Sequence, residues 1–218
     1  MKAINKKGFP RVLNLYGSIY LAILVLMIGG CTASHYPVFL HPSFGMTAIS
    51  KVVVLPVVDH RANKELKTNI NKAVNQGVKV MLEKKGYVAD FATDFGSVSN
   101  ITREDISNKT PSFISLLGPD NANWLLIIVV KRLDRDGVFL GFQGKASVSG
   151  YLFEKTTGDL YWEGEGTGIF GAGVLLAALV DDAALEEAVR DMMLAFPENA
   201  TLPQMKPVKE EPSMRPRL

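Results

Sequence analysis

Residues 124–130, Trp124-Leu125-Leu126-Ile127-Ile128-Val129-Val130, decide the fold. Seven consecutive apolar residues, four of them β-branched, favour a strand. Alternate side chains of a strand point to opposite faces, so a run this uniform does not suit a sheet with one wet face. It predicts a central strand covered on both sides, and it is too short to cross a bilayer. Upstream, Lys51 to Val58 (KVVVLPVV) reads as a second buried strand, with Pro56 marking where ladder pairing stops or bulges. Between the two the period changes. Leu66, Ile70, Ala73, Val74, Gly77, Met81 and Leu82 fall on one helical stripe, and Lys64, Lys67, Asn71, Lys72, Asn75, Lys79 and Glu83 cover the other side. Gly86 ends that helix and Tyr87 to Ala92 returns to strand. Thr102, followed by Glu104 and Asp105, predicts a helix N-cap with acids in the first turn, and Pro111 with Gly118-Pro119 breaks residues 93–123 into short pieces.

Downstream, Lys131 to Gly141 carries charges and two glycines and reads as an extended, exposed excursion. Alternation resumes in Ala146, Val148, Gly150 and Leu152, set against Ser147, Ser149, Tyr151 and Phe153. The turn Lys155 to Asp159 then leads into Leu160-Tyr161-Trp162, a hairpin in which Gly158 supplies the positive φ. The last helix, Asp181 to Phe196, has the stripe Leu185, Ala188, Val189, Met192, Met193 and Phe196. Asp181 and Asp182 stand at the positive end of its dipole, and Glu186 is spaced to pair with Arg190. The order β, α, β, short helices, β, β, β, α predicts an α/β (α+β) domain, a single mixed sheet of about five strands with helices packed against it. It occupies residues 49–196. Residues 31–48 read as a tether, and the Pro-rich residues 197–218 as a disordered tail.

The start of the chain reads as an address. Lys2, Lys6, Lys7 and Arg11 precede the apolar segment Val12 to Ile28, a positive region followed by a hydrophobic one, which ends in Gly29-Gly30-Cys31. Small residues admit an extended backbone to a peptidase, and the pattern resembles a bacterial lipobox. In that motif the cysteine is acylated and becomes the new N-terminus, so residues 1–30 read as a lipoprotein signal peptide. Val12 to Gly30 is also just long enough to remain as an uncleaved membrane anchor. Thr32, rather than Asp, follows the cysteine, which by general lipoprotein sorting implies the outer membrane, facing the periplasm. Removal of the leader turns 24 basic and 22 acidic residues into 20 and 22, so the mature chain is slightly acidic and gives no support to nucleic-acid binding. A single cysteine excludes internal disulfides and multi-cysteine metal sites.

The opening KVVVLPVVDHRANKE, the strand WLLIIVV and the hairpin VSGYLFEKTTGDLYWEGEGTG, followed by a Gly/Ala/Leu segment, resemble a family of bacterial envelope lipoproteins of unknown function. That family is typified by a meningococcal surface-antigen lipoprotein and is distantly similar to CsgG, LpoB and the N-terminal domain of TolB. The resemblance covers roughly residues 45 to 195. It implies a TolB N-terminal-like fold and no catalytic residue.

The residues themselves point away from catalysis. His35, His41 and His60 have no metal-ligand spacing, and no nucleophile elbow, phosphate-binding loop or complete dinucleotide fingerprint occurs, so neither a metal nor a cofactor is expected. Asp134-Arg135-Asp136 lacks the Gly and closing Glu of a calcium loop, and Glu163 with Glu165 reads as the wet side of a strand. The unusual segment is Ile169 to Val180, twelve residues without a charge. Either it is buried in its own domain as a linker into the last helix, or Phe170, Val174, Leu175, Leu176 and Leu179 form a contact surface for another copy, another envelope lipoprotein or the membrane. The expectation is a non-enzymatic outer-membrane lipoprotein, anchored through lipid on Cys31, that serves an envelope assembly or export complex. The alternative is a lipid-anchored periplasmic ligand-binding module using the sheet end near Asp59 and Arg61.

Overall fold

In the computed structural model, which describes residues 37–62, 69–98, 101–108, 110–138 and 141–199, eleven elements follow one another. They are β1 (Phe39–Leu40), β2 (Lys51–Val54), β3 (Val58–Asp59), α1 (Ile70–Lys84), β4 (Val88–Phe91), α2 (Arg103–Asn108), α3 (Pro111–Ile114), β5 (Trp124–Val138), β6 (Gly141–Glu154), β7 (Leu160–Gly173) and α4 (Val180–Leu194). Single 3-10 segments lie at Phe44–Met46 and Val174–Leu179.

The strands form one mixed sheet in the order β1-β7-β6-β5-β2-β4, with β3 also paired to β5. β5 is central. β2 runs parallel to both β4 and β5, as the α1 crossover requires, while β5, β6 and β7 form an antiparallel meander. Every residue from Trp124 to Val130 is buried. Leu126, Ile128 and Val130 pack with Val52 and Val54 under α1 and α4. Leu125, Ile127 and Val129 pack with Val53 and Leu55 on the opposite face, with Ile106 of α2 and Ile114 of α3. The expected class and two-sided burial are therefore present.

The strand count is seven rather than about five, for two local reasons. At Pro56 the ladder breaks as the sequence suggests: Val54 pairs with Leu126 and Val58 with Val129, so one residue bulges out and the run 51–58 becomes two strands. Asn71 of α1 accepts a hydrogen bond from the Val57 N–H at 2.9 Å, which satisfies a donor the break releases. The other addition is β1, which pairs with β7 through Phe39↔Glu163 and Leu40↔Trp162. Regular structure thus begins ten residues before Ile49. His41 stacks on Tyr161 with ring centroids 4.6 Å apart, and Phe44 is buried edge-on to Phe196.

Lys131 to Val138 is extended and largely exposed as expected, and it is also paired. Its described residues form the second half of β5, paired with β6 from Arg132↔Ser147 to Val138↔Gly141, with the register shifted at Lys131. Only Leu133 in this half is buried, because the helices no longer cover the strand.

The local signals of the helices hold with small shifts. Asn69 caps α1, accepting from the Lys72 N–H at 3.1 Å. Thr102 Oγ1 accepts from the Asp105 N–H at 3.2 Å, while the Asp105 carboxylate accepts from the Thr102 N–H at 2.8 Å, a reciprocal cap at the start of α2. Gly158 has φ +74°, as the hairpin turn requires. Arg190 pairs with Glu187, one turn position nearer than the expected Glu186. Past α4, the Trp162 indole N–H donates to the Ala195 carbonyl, and Asn199 Nδ2 donates to the Gly86 carbonyl at 2.9 Å, so ordered backbone continues beyond Phe196.

Candidate contact surface at the end of the sheet

β6 and β7 carry glycine at the positions that face α4. A Cβ built on Gly166 would lie 2.1 Å from the Ala188 carbonyl oxygen, and one on Gly168 would lie 2.0 Å from that of Ala184. The helix therefore lies directly on the sheet, and Ala184, Leu185, Ala188, Val189, Met192 and Met193 are buried there. The alternate spacing of Gly164, Gly166 and Gly168 is a strand-period signal that marks this seat.

Where α4 begins, the strands run on past it. Arg135 Nε donates to Asp181 Oδ1 at 3.0 Å, and its Nη2 reaches the other carboxylate oxygen, so the second half of β5 is fixed to the first turn of α4. Asp181, placed by the sequence at the helix dipole, is buried in this pair. Lys145 donates to Asp136 at 2.8 Å, and Arg132 pairs with Asp134. The three charges of Asp134-Arg135-Asp136 are thus used in ion pairs, and among the described residues no group of side chains could hold a metal. The Lys145 hydrogen bond also holds the Asp136 carboxyl below the usual carboxylate range.

Past the level of Asp136, Gln143 and Gly171 the three strands carry no charge. β6 and β7 pair as far as Phe142↔Ala172 and Gly141↔Gly173, and β5 meets β6 at Val138↔Gly141. The register sets Val138 level with Gly141 and Gly173, and Ile169 and Phe170 level with Lys145 and Gly144 in the belt; the 3-10 segment Val174–Leu179 follows Gly173. Val138, Ile169, Phe170, Val174, Leu176 and Leu179 are all exposed, and Leu175 is 98% exposed. None of residues 174–179 is buried. The account in which this stretch is a self-buried linker is therefore overturned. The five predicted contact residues lie together at one end of the sheet. Val138, in the stretch that the sequence reads as an extended, exposed excursion, is level with Gly173 at the same end.

The other predicted locations behave differently. Asp59 and Arg61 border an open depression of about 560 Å³ lined also by His60, Phe95 and Thr102. The Arg61 side chain is only 5% exposed, and its fork grips Asp59 through Nε–Oδ1 at 2.9 Å and Nη2–Oδ2 at 3.0 Å. The pair is satisfied internally. Glu165 receives the Lys131 ammonium across the sheet, on the wet side of β7 as expected. Cys31 and His35 lie outside the described residues. Among the described residues no helix is long and apolar enough to cross a membrane.

No protein-family model matches the chain, and no curated protein matches it. Solved structures match it in part. The lipoprotein GNA1162 from Neisseria meningitidis is 16% identical over 56% of this chain and 84% of its own, with a TM-score of 0.42. A minor lipoprotein from Acinetobacter baumannii is 9% identical over 67% and 91%, with a TM-score of 0.37. The C-terminal domain of LpoB from Salmonella enterica is 13% identical over 67% and 92%, with a TM-score of 0.33. Two of these three, from Neisseria meningitidis and Acinetobacter baumannii, are lipoproteins.

Proposed function

We propose that this chain is a lipid-anchored protein of the bacterial cell envelope that acts by contact and not by catalysis. Acyl chains on Cys31 hold it in the outer membrane, and its α/β domain faces the periplasm as a component of an assembly or export complex. The observation that carries the contact role is the cluster of exposed apolar side chains at the end of the β5–β6–β7 meander, Phe170, Val174, Leu175, Leu176 and Leu179. Apolar side chains concentrated at one end of a domain are retained where they meet something other than water. The anchor rests on the charged and apolar leader that ends in Gly29-Gly30-Cys31.

Intact mass of the protein isolated from envelopes tests the anchor. The expected species starts at Cys31 and carries the mass of its acyl chains, and Cys31→Ser is expected to retain residues 1–30 and to leave the outer-membrane fraction. A wild-type protein that still carries Met1, or a Cys31→Ser variant processed and sorted as before, would overturn the anchored reading.

A further inference from the structure

We infer that the exposed apolar segment meets a second copy of this chain: Val174–Leu179 of each protomer lies in the groove between α1 and α4 of the other, the two related by a twofold axis. This rests on the contact reading above and names what the contact surface meets.

The groove is an open cleft of about 330 Å³ that runs between α1 and α4 and reaches β7 at Phe170. Val80, Met81 and Phe170 supply apolar lining, and Glu186, Glu187 and Arg190 supply charge, with Glu187 and Arg190 paired to each other. Val80 is 58% exposed, although its neighbours Gln76 and Lys79 on α1 keep that side of the helix polar. Apolar lining beside charged side chains is the composition of a protein contact, whereas acyl chains would strip three charges of their water.

The segment stands next to the groove on the same copy. Phe170, which lines the groove, precedes Val174 by four residues, and Leu179 leads directly into α4. Yet none of residues 174–179 is buried, so the segment does not fill its own groove. A surface that carries an uncharged projection and an apolar groove side by side satisfies both by pairing with itself, because a twofold axis makes the same contact twice. A foreign partner would have to supply both shapes.

The area suffices for such a pair. The exposed fractions of Val80, Phe170, Val174, Leu175, Leu176 and Leu179 amount to about four whole side chains, each with on the order of 60–120 Å² of apolar area, hence roughly 200–450 Å² on one copy. Counted on both copies, with apolar atoms making up about 56–65% of an interface, the contact buries roughly 700–1,500 Å² in all, around the about 1,000 Å² that a specific interface needs.

The test uses the full-length chain in envelopes of a host that makes two differently tagged copies, one Val80→Cys and the other Leu175→Cys, treated with a short bismaleimide. The expected product is a cross-linked pair carrying both tags, at least tenfold more abundant than the pair formed by either variant alone; the single variants also report any reaction of Cys31. Leu176→Glu added to the Leu175→Cys copy is expected to cut the product at least tenfold. Val88→Cys in place of Val80→Cys, exposed on the edge strand β4, is expected to give none. One chain carrying both Val80→Cys and Leu175→Cys is expected to stop at a pair, and a ladder of larger species would overturn the twofold contact. In parallel, aqueous maleimide is expected to label position 175 at least tenfold more slowly than position 88. Rapid labelling of position 175 would overturn the contact reading together with the inference. Slow labelling without the mixed pair would overturn the inference alone and assign the surface to another protein or to lipid.

Discussion

The seat of α4 on β7 can be tested by a single methyl group. In Gly168→Ala the new Cβ would stand 2.0 Å from the Ala184 carbonyl oxygen and 2.6 Å from the Ala188 nitrogen, both backbone atoms that no rotamer change can move. Ordinary contact begins at 3.4 Å, so the helix must retreat by about 1.4 Å, loosening side chains from Ala184 to Met193 that are buried now. Overpacking typically costs about 1–3 kcal/mol, and a backbone obstacle places this case at the upper end. The lower unfolded-state entropy of alanine offsets about 0.4–1 kcal/mol, leaving a net loss near 2 kcal/mol. For a domain of this size that lowers Tm by about 4–8 °C. Gly171→Ala is the internal control, because its Cβ meets only the Phe142 carbonyl oxygen at 4.0 Å. Its Tm is expected to match or exceed that of the wild type. Thermal melts of the two purified variants by circular dichroism give the comparison. If Gly168→Ala melts with Gly171→Ala, the helix is not held at the distance that the glycines allow, and the reasoning fails.

Three further outcomes follow from the same packing. Ile127→Asp places a charge on the central strand opposite Tyr151, in the face covered by α2 and α3, and is expected to prevent folding, since a buried unpaired charge costs several kcal/mol against a total near 5–15; a cooperative wild-type melt would contradict it. Leu175→Glu changes a side chain already in water and is expected to shift stability by no more than about 0.5 kcal/mol, measured as a urea midpoint; collapse of the domain would return residues 174–179 to the core. Burial first, and the Glu198 carboxylate second, push the Tyr87 hydroxyl up to about 12. Its folded pKa lies above the unfolded value, so its contribution is complete below about pH 10 and is lost as pH rises toward 12. Tyr87→Phe is expected to flatten the fall of the urea midpoint across that window, and an unchanged slope would contradict the assignment.

What the sequence reveals follows what the helices cover. The run 124–130 is legible because both faces of the sheet demand apolar side chains, and Pro56, Thr102 and Gly158 are legible because each acts on its own backbone. Lys131 to Val138 is legible only as an exposed, extended stretch and not as a paired strand, because past Leu133 it is held by the β6 ladder and by ion pairs, so no burial imposes an alternation on its side chains. β1 is two residues long and is chosen by the edge of β7, which no local pattern announces. The contact surface is half legible. Its charge-free run 169–180 stands out in the sequence, but Val138 joins it only through the register Val138↔Gly141 and Gly141↔Gly173, which depends on where three strands end.

That register also gives the two halves of the meander different physics. In the first half, β5 to β7 are sealed by helices and the sequence pairs glycine with helix backbone. At the level of Arg135 and Asp136 helix cover gives way to ion pairs, and Arg135 reaches Asp181 in the first turn of α4, so the emerging strands stay tied to the body of the domain. Past that level neither helix nor charge remains. An exposed end gains nothing in water from Val174, Leu175 or Leu176, since leaving such side chains solvated forgoes about 1.5–3 kcal/mol each relative to burial. The ion-paired belt lets the strands project while still wet, and the uncharged end gains free energy on leaving water. Charge that stops at one level, with apolar residues beyond it, suits an end placed against an apolar surface that the free domain does not itself supply.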